Sequence, residues 1–285
     1  MSKTVAIIGV GLIGGSLARA LRKNDWCESL IGFDSDDNAL TNAQQLNVID
    51  QGFSSFSECE QIPEVIVIAT PVLTVGRVCE QIKSWFNHAK VVTDVASTKQ
   101  SVINDVKEAF DGQLPDNFVP GHPIAGLEKK GVSASKPDLF ETRKVILTPE
   151  ERTSRESLAM VTEMWTQAGA NVEIMNAKVH DKILASTSHL PHAIAFSLVY
   201  CLAKESHTEE IFRYAAGGFA DFSRIASSDP VLWKQICLAN RDELLIAIKQ
   251  FEGCLNELHA SLENNDGDRL QEIFLDAKNT RDRFV

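Results

Sequence analysis

A doubly wound α/β domain followed by an all-α domain is the fold class this sequence predicts, and three observations predict it. At the start an apolar run, a glycine loop and an amphipathic run follow one another directly. Short apolar runs without polar alternation, the mark of strands buried on both faces, then recur with helical stretches between them. Past about Asn176 no such run returns and the periodicity is helical to the end. The change of period divides the chain into residues 1–175, a nucleotide-binding domain of Rossmann type, and 176–285, a helical domain.

Val5, Ala6, Ile7 and Ile8 read as the first buried strand. Gly9, Gly11 and Gly14 follow at G-x-G-x-x-G spacing, and Leu17, Ala18, Ala20 and Leu21 continue as a helix packed back on that strand. Gly9 allows a turn forbidden to a side chain, Gly11 lets a pyrophosphate approach bare backbone, and Gly14 lets helix and strand pack closely. Leu12 and Ile13 stand in the helix's first turn, where free N–H groups and the positive end of the dipole face a phosphate. A second strand, Leu30 to Phe33, ends on Asp34. A carboxylate there accepts hydrogen bonds from both ribose hydroxyls and repels a 2′-phosphate, which selects NAD over NADP. A secretory signal peptide is the rival reading, and it fails because Arg19, Arg22 and Lys23 continue the amphipathic helix with no small-residue cleavage site behind them.

Farther along, Val65 to Thr70 is a buried run stopped by Pro71, so Thr70 and Pro71 fall at a strand edge of the kind that borders the nucleotide. Val91 to Val95 is the next strand. Ser97 or Thr98 after it is either the N-cap of a helix from Gln100 to Phe110 or a hydroxyl facing the crevice. In Phe118 to Gly126, His122 is wedged between Gly121 and Pro123, in a loop of fixed shape at the carboxyl end of the sheet, a setting that favours function over packing. Glu128, Lys129 and Lys130 read as a solvated loop. The segments 145–148 and 172–174 are the last strand candidates, with a helix between them.

The helical half opens with a segment carrying His180, Asp181, His189 and His192, kinked at Pro191. His189 and His192 share a face, but Pro191 intervenes and no further ligands are spaced for a metal, so none is expected. Gly217 and Gly218 read as the end of a helix, and Asp229 and Pro230 as the N-cap and first residue of another. Arg224 lies between them, either capping carbonyls or offering its planar fork to a carboxylate substrate. Leu244, Ile248, Phe251, Leu255, Leu258 and Leu262 form a narrow seam on the final long helix, serving an intradomain core or a subunit interface.

With 44% hydrophobic and 24% charged residues the 285-residue chain has the composition of a soluble globular protein. Its net charge of −11, without a basic cluster, excludes nucleic acid and anionic membranes as partners. The longest apolar run, Ala193 to Ala203, is broken by Ser197 and falls short of the roughly 20 residues a membrane span needs. Six cysteines, without Cys-x-x-Cys spacing, read as reduced thiols of a cytoplasmic protein.

Taken together, GVGLIGGSLARAL at 9–21, DVASTK at 94–99, GHPIAG at 121–126, the His-Asp pair at 180–181, SHLPHA at 188–193 and GFADFSRIASSDP at 218–230 with Trp233 resemble the prephenate dehydrogenase family, which includes arogenate and cyclohexadienyl dehydrogenases. The resemblance covers nearly the whole chain. It implies NAD-dependent oxidative decarboxylation of prephenate to 4-hydroxyphenylpyruvate, a step of tyrosine biosynthesis driven by aromatisation. By position it implies His122 as the acceptor or base on the substrate hydroxyl, Ser97 as a hydrogen-bond partner of the same region, and Arg224 as the holder of a carboxylate. Asp181, His189 and Trp233 match residues lining the cleft from the helical domain, with the site between the two domains. Glu128 is a candidate for sensing the side chain that distinguishes prephenate from arogenate. His192 is the candidate contact for tyrosine as an inhibitor, on the expectation that no fused mutase or regulatory domain accompanies the helical domain. A homodimer formed through the helical domain is implied too. Two positions depart from the family pattern: Leu127, where relatives often carry a small hydroxyl residue, and Ala220, often a basic one. A β-hydroxyacid dehydrogenase using Lys178 or Lys182, and a non-catalytic NAD-sensing dimer, are the competing readings. Neither gives the GHPIAG and SHLPHA blocks a task.

Overall fold

Alternate residues of the first strand are claimed by opposite sides of the molecule, which is why Val5 to Ile8 carries no polar residue. Val5 and Ile7 pack with Leu17, Leu21, Val161 and Trp165, whereas Ala6 and Ile8 pack with Val78, Phe86, Ile103 and Val106. The computed structural model describes residues 3–127 and 129–284. The chain runs β1 (Thr4–Ile8), α1 (Leu12–Lys23), β2 (Ser29–Phe33), α2 (Asp37–Gln45), β3 (Gln51–Phe53), β4 (Val65–Ile68), α3 (Val75–Gln81), β5 (Val91–Asp94), α4 (Gln100–Ala109) and β6 (Phe118–Val119). Among the described residues these strands form a six-stranded sheet of order β3-β2-β1-β4-β5-β6, every neighbouring pair parallel. The order reverses between β1 and β4, and a crevice opens outside the carboxyl ends of the strands at such a reversal.

The next strands do not extend this sheet. β7 (Gly121–Pro123) runs antiparallel to β8 (Lys144–Leu147), which pairs in parallel with β9 (Asn171–Ile174), and α5 (Arg155–Gln167) links the last two. The segment around His122, read from the sequence as a loop, is thus a short strand, with His122 opposite Ile146. Pro120 separates it from β6, so a ladder rather than proline geometry alone holds the imidazole in place.

From Ala177 onward the described chain is helical: α6 (Ala177–Leu184), α7 (Leu190–Leu202), α8 (Thr208–Arg213), α9 (Gly217–Ser223), α10 (Pro230–Ala239), α11 (Arg241–Glu263) and α12 (Gly267–Phe284). A π-helical turn, Ala185–His189, joins α6 to α7 immediately before Pro191. Proline cannot donate to the preceding turn, and a widened turn accommodates that missing bond. Gly217 and Gly218 open α9 rather than closing α8, which already ends at Arg213. Asp229 caps α10 as expected, accepting the N–H groups of Val231 at 2.8 Å and Leu232 at 3.4 Å, with Pro230 in the first position.

The apolar seam read from the sequence lies wholly on α11, and a further helix, α12, follows it. The apolar seam on α11 is buried at Leu244, while Leu255 and Leu262 stand 47% and 58% exposed. α12 has no buried residue, and Phe274 and Leu275 are exposed. The helical half is keyed to the sheet by Ala177 and Ala239, which pack into the α3/α4 side of the core. No helix among the described residues is long and apolar enough to cross a membrane.

Candidate active site

The turn from β1 into α1 needs its glycines for two different reasons. Gly9 has φ of +97°, and a Cβ there would lie 2.6 Å from the Ala69 carbonyl oxygen. A Cβ on Gly14 would meet the Gly9 carbonyl oxygen and lie 2.7 Å from Cγ2 of Ile7, so helix and strand could not close. Gly11 differs: a Cβ there would face open space, leaving its backbone bare to whatever approaches. No side chain caps α1, so its first-turn N–H groups, near Leu12 and Ile13, point to an outside acceptor. Asp34 stands beside this turn, its Oδ2 accepting the Val10 N–H at 2.9 Å and its Oδ1 the Asp36 N–H at 3.1 Å. Across the crevice the Thr70 hydroxyl is buried with no partner among the described residues, followed by exposed Pro71. A bare turn, open amides, an oriented carboxylate and an orphaned hydroxyl fit a dinucleotide.

Behind the neighbouring strand ends lies a chain of buried side chains. His122 Nδ1 is 2.8 Å from His180 Nε2, and His180 Nδ1 is 2.8 Å from Asp181 Oδ1. Asp181 also accepts the Lys99 N–H on Oδ1 and the Gln100 N–H on Oδ2, each at 2.8 Å. The cap of α4 is therefore a carboxylate from α6, not Ser97 or Thr98. The Thr98 hydroxyl bonds the Ser101 hydroxyl at 2.6 Å, and Ser97 stays half-buried. Burial raises the Asp181 carboxyl pKa, but the His180 and two backbone hydrogen bonds outweigh it and hold the group below its usual range. An ionised carboxylate only accepts, so His180 donates its Nδ1–H and turns a lone pair at Nε2 toward His122. His122 then carries its hydrogen on Nδ1 and keeps Nε2 as an acceptor. Burial, reinforced by His180, Lys99 and His189, pushes His122 well below the ordinary 6.5, so it is neutral at pH 7.

A second buried constellation fixes the backbone under His122. Lys99 and Asp94 are both fully buried and form an ion pair. Lys99 Nζ also donates to the Gly121 carbonyl at 2.5 Å, while Asp94 accepts the Gly121 N–H at 3.1 Å and the Ala96 N–H at 2.9 Å. Both backbone groups of Gly121, the residue before His122, are thus tied to the end of β5. Burial lowers the Lys99 pKa against the pull of Asp94.

On the helical side His189 is 1% exposed, its Nδ1 3.1 Å from the Asn240 amide nitrogen, which also donates to the Asp181 carbonyl at 2.8 Å. Burial pushes His189 down to about 4, against the opposing charge of Asp181. His192 stacks on Trp233 with ring centroids 3.6 Å apart, and His189 meets the same ring edge-on at 6.1 Å. His192 donates Nδ1–H to the Ser188 carbonyl at 2.9 Å. Burial lowers its pKa, and the positive charge of Arg224 lowers it further, which places Arg224 in this cluster. Asp181, expected to line the cleft, is only 3% exposed and sits behind His180 instead. Leu127 and Ala220 are exposed, and Glu128 lies outside the described residues. Among the described residues no group of three or more His, Cys, Asp or Glu is arranged to hold a metal.

The nucleotide-binding domain of prephenate dehydrogenase matches residues 17–174, and the prephenate dehydrogenase dimerization domain matches residues 176–276. The chain belongs to the prephenate dehydrogenase family. It is 36% identical to prephenate dehydrogenase of Bacillus subtilis over 99% of this chain and 76% of the relative. It is 34% identical to cyclohexadienyl dehydrogenase of Zymomonas mobilis over 98% and 95% of the two. The crystal structure of prephenate dehydrogenase from Aquifex aeolicus with hydroxyphenyl propionate and NAD+ superimposes with a TM-score of 0.93 at 36% identity, covering 100% of this chain and 99% of that one. The chain is thus an NAD-dependent oxidoreductase of this family, with a parallel-sheet nucleotide domain and a helical C-terminal region. Within the dehydrogenase frame the sequence reading gave no task to Lys99, His180 or Asn240. Only the DVASTK motif at 94–99 and the adjacent His-Asp pair at 180–181 signalled any of them.

Proposed function

We propose that this chain is a prephenate dehydrogenase, converting prephenate to 4-hydroxyphenylpyruvate and carbon dioxide in tyrosine biosynthesis. The observation that carries the reading is His122, neutral and held through Nδ1 so that Nε2 remains a hydrogen-bond acceptor. NAD, when bound, supplies the acceptor for the hydride leaving the ring carbon that bears the hydroxyl. Gly9, Gly11, Leu12, Ile13 and Gly14 hold the pyrophosphate on backbone, Asp34 takes the ribose hydroxyls, and Thr70 and Pro71 border the dinucleotide.

His122 Nε2 accepts the hydrogen bond of the substrate hydroxyl, and the half-buried Ser97 hydroxyl binds the same region. Orientation matters most in a reaction that aromatisation already drives, and the doubly anchored Gly121 supplies it. Arg224 pairs with a substrate carboxylate, and the His192–Trp233 stack forms an aromatic wall beside it. His189, held by Asn240, closes the wall, and Asp181 acts from behind His180 rather than on the substrate. Tyrosine, sharing the product's ring, competes at this wall through His192. Glu128 remains the candidate for discriminating prephenate from arogenate.

The chain acts as a homodimer through its helical half, a reading supported by the exposed Phe274 and Leu275 of α12. The six unpaired cysteines suit a reducing cytoplasm. Residues 1–175 form the NAD-binding domain, which also brings His122 and Ser97 to the substrate, and 176–285 form the helical substrate-binding and dimerisation domain. The test is a steady-state assay of reduced cofactor with prephenate or arogenate, NAD or NADP, with and without tyrosine. Prephenate with NAD is expected to give the highest kcat/KM, with tyrosine competitive. A clear preference for arogenate would reassign the substrate, and no turnover with either would overturn the enzymatic reading.

A further inference from the structure

Summed over the reaction, the substrate oxygen keeps its proton. The ring C–H leaves as hydride, the ring carboxylate leaves as carbon dioxide, and the product carries a phenol O–H in place of the alcohol. A proton that His122 removes can therefore return to the same oxygen within the turnover. A route to solvent is not required, and the histidine chain has none of the features of one. His180 is fully buried, Asp181 is 3% exposed, and both Asp181 oxygens are engaged by His180, Lys99 N–H and Gln100 N–H. The Asn240 amide closes the far side on the Asp181 carbonyl. Lys99, whose charge acts on His122, is committed to Asp94 and the Gly121 carbonyl.

We propose that His122 and His180 form a closed two-imidazole proton store, which takes the ring-hydroxyl proton as hydride departs and returns it to that oxygen after decarboxylation. The inference rests on the reading of His122 as the group that accepts the substrate hydroxyl. In the forward step the substrate O–H bond breaks and a His122 Nε2–H bond forms, while the His122 Nδ1–H bond breaks and a His180 Nε2–H bond forms. His180 becomes an imidazolium against the Asp181 carboxylate, His122 stays neutral, and the substrate becomes a dienone. Loss of carbon dioxide leaves its electron pair in the ring as a phenolate. Both proton transfers then reverse to give the phenol, with nothing oxidised or reduced on the protein. His180 is a positioning residue, since it reaches the substrate only through His122.

His180→Gln keeps a hydrogen-bond acceptor for the His122 Nδ1–H but cannot take up a proton. With prephenate deuterated at the hydroxyl-bearing carbon, so that hydride transfer limits, the native enzyme should show a curved proton inventory with two protons in flight. His180→Gln should show a linear one, with kcat lowered on the order of tenfold or more and KM for prephenate and NAD within about twofold. Native kcat in His180→Gln, or a linear inventory in the native enzyme, would overturn the store. Should His180→Gln fail to fold, ¹⁵N spectra of the native enzyme decide. Hydrogen on Nδ1 of both histidines supports the store, and hydrogen on His122 Nε2 refutes it. Native turnover in His122→Asn would sink the underlying reading itself, whereas its collapse alongside a native His180→Gln would sink the store alone.

Discussion

The nucleotide cradle and the histidine chain lie along the same edge of the sheet but draw on opposite resources. The cradle comes from one continuous stretch, Gly9 to Asp34, and works through backbone: a positive φ at Gly9, a bare Gly11, open amides at the start of α1. The histidine chain works through side chains gathered from β7, α6 and the junction of α10 with α11, and almost every polar atom in it has a fixed partner. A backbone cradle tolerates solvent and needs only room. A buried polar chain needs completeness, because an unsatisfied member in low dielectric costs more than the whole chain contributes.

That contrast makes His122→Asn the largest expected effect. An asparagine preserves polarity but cannot act as the base, so kcat should fall about 10²–10⁴-fold while NAD affinity is retained. Steady-state kinetics beside a titration of NAD check both halves, and a parallel loss of NAD affinity would mean the two regions are one cooperative unit. Next comes Lys99→Met, which leaves the fully buried Asp94 without its counter-ion. Breaking one side of a buried pair costs about 3–5 kcal/mol, so urea unfolding should shift by that order. The companion Asp94→Asn/Lys99→Met pair, which removes the stranded charge, should recover part of it.

The same contrast explains what could be read in the sequence. Glycine spacing, the strands around it and Asp34 are local, and a local pattern survives in one dimension. The capping of α4 is not local: the acceptor on the Lys99 N–H is Asp181, 82 residues away. Serine and threonine at 97 and 98 were the natural caps by propensity, but a tertiary carboxylate supplies two strong bonds at once and leaves neither hydroxyl needed as a cap. Lys99 stood in the DVASTK motif without a role because lysine is almost never fully buried, and only its pairing with Asp94 makes the exception tolerable. His122 was read as held by proline geometry, whereas the β7–β8 ladder holds it. Gly217 and Gly218 misled in the other direction: glycine pairs usually end helices, yet here the break at Tyr214–Ala216 precedes them.

Within the cradle itself, two glycines separate fold from function. Gly14→Ala drives a methyl into the Gly9 carbonyl and the Ile7 side chain, an overpacking worth about 1–3 kcal/mol, and should lower the melting temperature together with NAD affinity. Gly11→Ala meets nothing in the free protein, and its φ of −91° suits alanine. It should melt like the native chain and lose affinity for NAD only. Thermal melts with and without NAD distinguish the two, and equal destabilisation by both would mean that Gly11 also serves packing.

The smallest effect concerns pH, and it again divides the two regions. Burial holds His122 well below 6.5 and His189 at about 4 in the folded chain, while the unfolded chain protonates both near 6.5. A depressed folded pKa means that the unfolded state binds more protons, so the stability from these two groups is complete above pH 6.5. It is lost as pH falls from 6.5 toward 4. Asp181, also depressed, begins to withdraw its share only below the usual carboxylate value of 3.8. Between pH 7 and pH 5 the urea midpoint should therefore decline through the histidines alone, and the acid limb of kcat/KM should lie below 6.5, because His122 stays neutral through that point. The cradle residues from Gly9 to Asp34 include no histidine. The dissociation constant of NAD should accordingly stay flat over the same interval, and a fall in NAD affinity tracking the loss of stability would show that protonating the buried chain reaches the cradle through the shared ends of the sheet.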